Sequence, residues 1–330
     1  MEKQNFYGMN NNASITYLEF GSIDVPAGKK HIWDFRLHDK AYDWLMHARY
    51  SNDIYAYLSM QDALLYGSLD KAFNIYNADV YHKDDAVINL SKLLALSTIQ
   101  QCCQKETLSF FELGQTLFGC IEGMEFYQQL LKALKINYYP VDLHSVKWFG
   151  VDISPFFNRL SKVMHQEYTI DTYLELSDMQ IETDVYFAKG VTMLYACNSI
   201  KRIFEIINKG KFRVFDYSMS LDKEQDVVIG TGKQVKYLPL FEFMEELNRY
   251  EDVLYINRAN SKYDSETKRV WLDCIYAEES LCKKYIELDM TIRREVIKKL
   301  RGNIGSSRFL NESKAPEWMS IGNYIETIKA

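Results

Sequence analysis

A mixed α/β fold is predicted for this chain: a mostly parallel sheet with a late antiparallel strand, helices on both faces, and an amino-terminal helical cap. Three observations predict it. From His31 to Lys105 apolar residues recur at three- and four-residue steps, and beyond it short apolar runs alternate with helical stretches, the signature of strand–helix–strand units. The first of those runs, Ser109–Leu113, ends in Gly114, where the backbone can turn without a Cβ. The last two runs, Val253–Asn257 and Val270–Ile275, are separated only by the polar segment Arg258–Lys268. That segment is too short and irregular for a crossover helix, so the two strands pair antiparallel.

The elements follow in chain order. Residues Ser14–Val25 alternate as a short strand or hairpin, interrupted by Gly21 and closed by Pro26-Ala27-Gly28. Trp33, Leu37, Ala41, Trp44, Leu45 and Ala48 keep a helical period, a second helix covers Ala56–Leu65, and a third runs from Asp85 to about Gln101. In the third, Val87, Ile88, Leu90, Leu93, Leu94 and Leu96 make a broad apolar face, and Asp84 or Asp85 caps it. Residues 1–105 thus read as a hairpin and helical cap or lid, 106–283 as the core, and 284–330 as a carboxyl-terminal helix and tail packing on that core. Within the core the strands are placed at Ser109–Leu113, Val146–Val151, Glu167–Ile170, Asp184–Phe187, Phe212–Phe215, Val253–Asn257 and Val270–Ile275, with helices at Glu122–Leu134, Pro155–Met164, Ser199–Asn208 and Leu240–Arg249. Thr291–Leu300 reads as a basic helix, Gly302–Ser307 as a break, and Trp318 and Ile321 as tail residues that dock back.

Composition narrows the function classes. The 330 residues carry 47% apolar and 25% charged side chains, an ordinary globular balance sufficient for one large domain or two modest ones. The formal net charge of −6 argues against a general nucleic-acid surface. The amino-terminal residues lack the apolar core of a signal peptide, and no apolar run is long enough to span a membrane. A cytoplasmic protein acting on a small-molecule substrate is expected, and a homodimer is compatible with it. The six cysteines form no Cys-x-x-Cys pair, and the six histidines show no ligand spacing, so reduced thiols and no metal site are expected. No Gly-x-Ser-x-Gly elbow is present. Gly230-Thr231-Gly232-Lys233 lacks the earlier glycine and following hydroxyl of a phosphate loop and reads as a hairpin or lid tip.

The chemistry concentrates at strand ends, where open parallel sheets bind ligands. Glu112-Leu113-Gly114 closes the first strand with an acid and a glycine turn; an ordinary strand-to-helix turn reads the same way. The longer glycine fingerprint that a pyrophosphate requires is missing, which argues against a nicotinamide dinucleotide. The second strand ends Gly150-Val151-Asp152-Ile153-Ser154-Pro155. A carboxylate there can accept both hydroxyls of a ribose, or it can cap the helix begun at Pro155.

Together these two segments resemble the class I S-adenosylmethionine-dependent methyltransferases, whose Rossmann-like fold carries an acid-x-Gly loop after the first strand and a Gly-x-Asp-x-Ser segment at the second. The resemblance spans about Ser109 to Ile275. It implies S-adenosyl-L-methionine as cofactor, with Glu112 and Gly114 at its methionine end, Asp152 at its ribose, and Asp171 near the adenine amine unless that acid caps with Thr172. Thr116, Ile153, Lys189 and Gly190 complete the implied cofactor set. Lys189 and Tyr195 after the fourth strand are candidates for positioning or proton transfer, and Asp216 for a base; strand-end polar residues that merely cap or pair are the alternative. Asp184 stands at the opposite end of the sheet and reads as structural. Two departures from the family pattern are Gln115-Thr116, where further small residues are common, and the extra segment Asn137–Lys147. A non-catalytic binding or scaffold module on the same fold is the competing expectation.

Overall fold

The computed structural model describes residues 85–115, 120–152, 158, 161–162, 165–173, 182–189, 191, 199–228, 234–300 and 315–329. The expected hairpin at Ser14–Val25 and the first two cap helices lie outside them, as does the Gly230–Lys233 tip.

Eight parts of the chain build the central sheet in the order β3–β2–β1–β4–β5–β10–β8–β11, and a ninth strand, β9, pairs with β10. Their ranges are β1 Ser109–Leu113, β2 Lys147–Val151, β3 Thr169–Tyr173, β4 Thr183–Ala188, β5 Gly210–Ser220, β8 Val253–Asn257, β9 Lys262–Asp264, β10 Arg269–Ala277 and β11 Trp318–Ser320. Strands β3, β2, β1, β4 and β5 run parallel. Strand β10 is antiparallel to both β5 and β8, so the predicted late antiparallel pairing is present. A separate hairpin joins β6 (Gln225–Val228) to β7 (Gln234–Tyr237).

Helices cover both faces, as predicted. On one face lie α1 (Asp85–Cys103), α2 (Cys120–Ala133) and α5 (Glu279–Leu300), burying Leu93, Ile121, Tyr285 and Ile292 against Phe110, Trp148, Val185 and Ile275. On the other lie α3 (Ile200–Ile207), α4 (Leu240–Leu247) and α6 (Ile321–Lys329), whose Phe204, Phe243 and Tyr324 meet Phe111, Tyr186, Phe215 and Cys274. Every residue of β4 is buried, as expected of a central strand covered on both sides. Helix α3 begins where the Ser199 side chain accepts from the Arg202 amide at 3.1 Å, satisfying one of the free amides of the first turn.

Several boundaries differ from the sequence expectation. The third strand runs Thr169–Tyr173 rather than Glu167–Ile170. His165–Glu167 form a turn whose carbonyl at His165 accepts from the Tyr168 amide at 3.0 Å, so the apolar signal of Tyr168 belongs to the turn, and Asp171 falls inside the strand instead of after it. The basic helix expected from Thr291 is the second half of one 22-residue helix, α5. Its inner stripe, Cys282, Tyr285, Asp289, Ile292, Arg293 and Val296, is continuous but carries a buried acid and a buried base that disguise it. Helix α1 is buried from Leu90 to Ile99 on every side and forms part of a core layer. The tail docks as expected, adding β11 to the edge strand β8 and burying Ile321.

Candidate functional site

One polar row crosses the sheet at the carboxyl ends of its parallel strands. The residues immediately beyond β1, β2 and β4 are Gly114, Asp152 and Lys189. Asp216 follows Phe215, the partner of Ala188, and stands directly opposite Asp273 on β10. Asn257 on β8 continues the row, donating from Nδ2 to Asp273 at 3.2 Å.

Gly114 adopts a left-handed φ of 72°, a conformation that favours glycine, while its amide donates to the Val151 carbonyl at 2.7 Å. The chain therefore turns sharply off β1 while still tied to β2. The next residue, Gln115, is buried and donates from Nε2 to Asn158 Oδ1 at 2.7 Å; Asn158 in turn donates to the Asp152 carbonyl at 2.8 Å and the Tyr173 carbonyl at 3.2 Å. The departure from small residues at this position thus has a physical use. Gln115 braces the β1 loop against the β2 and β3 ends. Asp152 is fully buried, its amide donating to the Tyr173 carbonyl at 3.1 Å.

Two lysine–carboxylate pairs flank Phe187 on the α1 side of the sheet. Glu112 accepts from Lys92 Nζ at 2.5 Å through one oxygen and from Cys120 Sγ at 3.1 Å through the other. Lys189 Nζ donates to Asp273 at 2.7 Å, reaching from β4 across β5 to β10. Asp273 also accepts from Asn260 Nδ2 at 3.0 Å, and its amide is bonded to Ser261 Oγ at 3.0 Å. The Lys92 and Lys189 ammonium groups stand 4.6 and 6.0 Å from the Phe187 ring centre, close enough for cation–π attraction. Burial, with the charges of Asp273 and Asp216 adding to it, pushes the neighbouring Cys274 thiol well above its ordinary range.

The sequence-derived candidates separate on this frame. Glu112, Gly114, Asp152, Lys189 and Asp216 all stand at the carboxyl end of the sheet. Asp171 does not join them: it is exposed, lies inside β3 and is paired in register with Phe149 of the opposite core. Thr116, Ile153, Gly190 and Tyr195 lie outside the described residues. Asp184 sits at the amino end, where it accepts from the Ser109 amide and hydroxyl at 3.0 Å each and from Lys105, the structural role expected of it. Lys92, Asp273, Asn257 and Asn260 were not singled out by sequence. The only signal for Lys92 was a lysine set among Leu90, Leu93 and Leu94, and for Asp273 an acid inside the apolar run Val270–Ile275.

A separate open groove of about 570 Å³ lies at the opposite, amino end of the sheet. It is formed by α2 and the extra segment after it, with Glu125, Lys132, Tyr138 and His144 among its walls. Burial pushes the Tyr138 phenol up to about 12. No helix among the described residues is long and apolar enough to cross a membrane.

No protein-family model matches the chain, and no curated protein matches it. Solved structures similar in arrangement include the N-terminal domain of EvdMO1 in the presence of SAH and D-fucose, at 9% identity and a TM-score of 0.39, covering 60% of this chain and 84% of that one. The DhpI–SAH complex matches at 10% identity and a TM-score of 0.30, covering 61% and 93%. The ribosomal protein L11 methylase from Lactobacillus delbrueckii subsp. bulgaricus matches at 13% identity and a TM-score of 0.30, covering 58% and 80%.

Proposed function

We propose that this protein is an S-adenosylmethionine-dependent methyltransferase acting on a small or sugar-like acceptor. The observation that carries the reading is the placement of a left-handed glycine, Gly114, at the end of β1 between two acids, Glu112 on its own strand and Asp152 at the end of the neighbouring parallel strand. A nucleoside joined to an amino acid requires such a set: a backbone without Cβ for close approach, a carboxylate suited to the two ribose hydroxyls, and a second carboxylate for an ammonium. The residues present therefore fit that group.

When bound, the cofactor supplies a methyl group already activated on a sulfonium. The protein's work is to align the acceptor, exclude water and remove a proton where the acceptor is a hydroxyl. Asp152 holds the ribose, and the Gln115–Asn158 brace keeps its loop in place. Asp216, level with Lys189 on the neighbouring strand, takes the hydroxyl proton on its carboxylate. Lys189 is committed to Asp273 and serves to position. The net charge of −6 favours a small acceptor over a polyanion.

A non-catalytic module on the same fold is the second reading. The pairing of Glu112 with Lys92 and Cys120 and the complete burial of Asp152 favour it. Calorimetric titration with S-adenosylhomocysteine and with a reduced nicotinamide dinucleotide tests the cofactor assignment. Binding of the first alone, lost in Asp152→Ala, is expected; binding of neither refutes it. Transfer of a labelled methyl group to members of a hydroxyl-bearing metabolite panel then separates enzyme from scaffold.

A further inference from the structure

The groove between α2 and the extra segment Asn137–Lys147 stands apart from the strand-end row, and the methyltransferase pattern has no counterpart for the segment that walls it. Its volume of about 570 Å³ falls in the range of small-molecule pockets, roughly 300–1,000 Å³. Ile136, Val141 and Leu143 belong to the core beneath it and give it an apolar floor. Its wall is partly aromatic. The His144 ring lies flat on buried Tyr168, with centroids 4.6 Å apart and planes 6° from parallel, and Tyr138 lines the groove as well. We propose that this groove binds a small organic cation with a flat apolar body, an arylalkylammonium, independently of the site at the strand ends.

Charge selects the sign of the guest. Glu125 and Asp142 line the groove together with Lys132. Lys132 is exposed in the last turn of α2, where it offsets the free carbonyls of the helix end and water screens it. Glu125 is half-buried and screened less. One oxygen of each carboxylate is already used: Glu125 accepts from the Tyr168 hydroxyl, and Asp142 from the His144 amide at 3.1 Å. The second oxygen of each has no donor among the described residues, so a cation brings what the groove lacks. An ammonium also gains from the electron-rich face of Tyr138, an attraction that a neutral guest does not share. An anion of the same shape would set its charge against two carboxylates and keep only the screened lysine.

Fluorine NMR of three isosteric probes with the full chain reads this directly: 4-fluorobenzylamine, 4-fluorobenzyl alcohol and 4-fluorobenzoate. The amine should bind with a Kd of about 1 mM or below and at least about tenfold more tightly than the other two, the range for a charged hydrogen bond. Glu125→Gln/Asp142→Asn keeps an acceptor for the Tyr168 hydroxyl and should erase the preference. Lys132→Met changes an exposed helix position, leaves the fold in place and should tighten amine binding. Excess S-adenosylhomocysteine should not displace the amine, because the groove lies at the other end of the sheet. Equal binding of the alcohol, or preference for the benzoate, overturns the cation assignment. So does a preference that survives the double variant or weakens in Lys132→Met. Displacement by S-adenosylhomocysteine would put the amine at the strand ends and overturn the groove as its site. Binding of none of the probes, or of a tetralysine peptide in place of the amine, would overturn the small-molecule assignment.

Discussion

Replacing Lys189 by methionine isolates the second charged pair and measures what its burial contributes to the fold. The wild-type contact is 2.7 Å, with Lys189 15% and Asp273 3% exposed. Removing one partner of a buried pair costs about 3–5 kcal/mol because the other charge stays buried and uncompensated. Asp273 keeps the Asn257 and Asn260 amides, so the lower end applies, about 3 kcal/mol, or roughly a hundredfold in the folding equilibrium. With a urea slope near 3 kcal/mol per molar, the unfolding midpoint should fall by about 1 M. The companion Lys189→Met/Asp273→Asn removes the stranded charge while keeping the side chain's shape, and should recover about 2 kcal/mol of the loss. Urea unfolding followed by tryptophan fluorescence measures all three proteins. A single variant within about 0.5 kcal/mol of wild type, or a double variant no more stable than the single, would refute the burial argument, since the first limit is the ordinary scatter of surface substitutions.

Further outcomes follow from burial and backbone geometry. Arg293 is buried on α5, donating to Asp289 at 2.6 Å and to Ser91 Oγ at 2.8 Å, so Arg293→Met should cost about 3–5 kcal/mol in urea unfolding, part of it recovered by adding Asp289→Asn, which still accepts from the Trp318 indole. Among the described cysteines, Cys102 and Cys103 are exposed and should react with a disulfide reagent in the folded protein, whereas Cys120, Cys274 and Cys282 should react only on unfolding. Burial raises the Cys282 thiol to about 12, so its contribution to stability is complete below the ordinary thiol range and is lost as pH rises from about 9 towards 12. The alkaline fall in urea midpoint should therefore be shallower in Cys282→Ala. Gly114→Ala places a Cβ at a φ of 72° and should cost about 1–2 kcal/mol together with S-adenosylhomocysteine binding. Gly210→Ala, whose Cβ would lie 2.5 Å from that of Tyr186 at the other end of the sheet, should cost about 1–3 kcal/mol and leave that binding intact.

The sheet was legible because burial on both faces writes itself as short apolar runs: Phe110-Phe111, Val185-Tyr186-Phe187 and Leu254 to Ile256 all fall on predicted strands. The antiparallel pairing was legible for a different reason, the shortness of the link between β8 and β10. Where the reading slipped, polar residues were doing an interior task. Asp289 and Arg293 interrupt the apolar stripe of α5 and hide its first half, although their mutual pairing is what allows both to be buried. Tyr168 looks like a strand residue but turns to donate its hydroxyl to Glu125.

The candidate site was half legible, along a physical line of division. Gly114, Glu112, Asp152 and Lys189 belong to local strand-end patterns, which a sequence displays. Their partners do not: Lys92 lies 20 positions from Glu112, and Asp273 lies 84 from Lys189. A lysine on a helix ordinarily faces water, and nothing in its spacing says that this helix is enclosed on every side. The enclosure also links the two halves of the fold. Arg293 of α5 holds Ser91 of α1, and the next residue is Lys92, so the position of the ammonium beside Glu112 depends on an arginine some two hundred residues away. Arg293→Lys should therefore lower the urea midpoint, because a single ammonium cannot reproduce the guanidinium's two directed bonds to Asp289 and Ser91; an unchanged midpoint would mean that the link between the helices carries no stability.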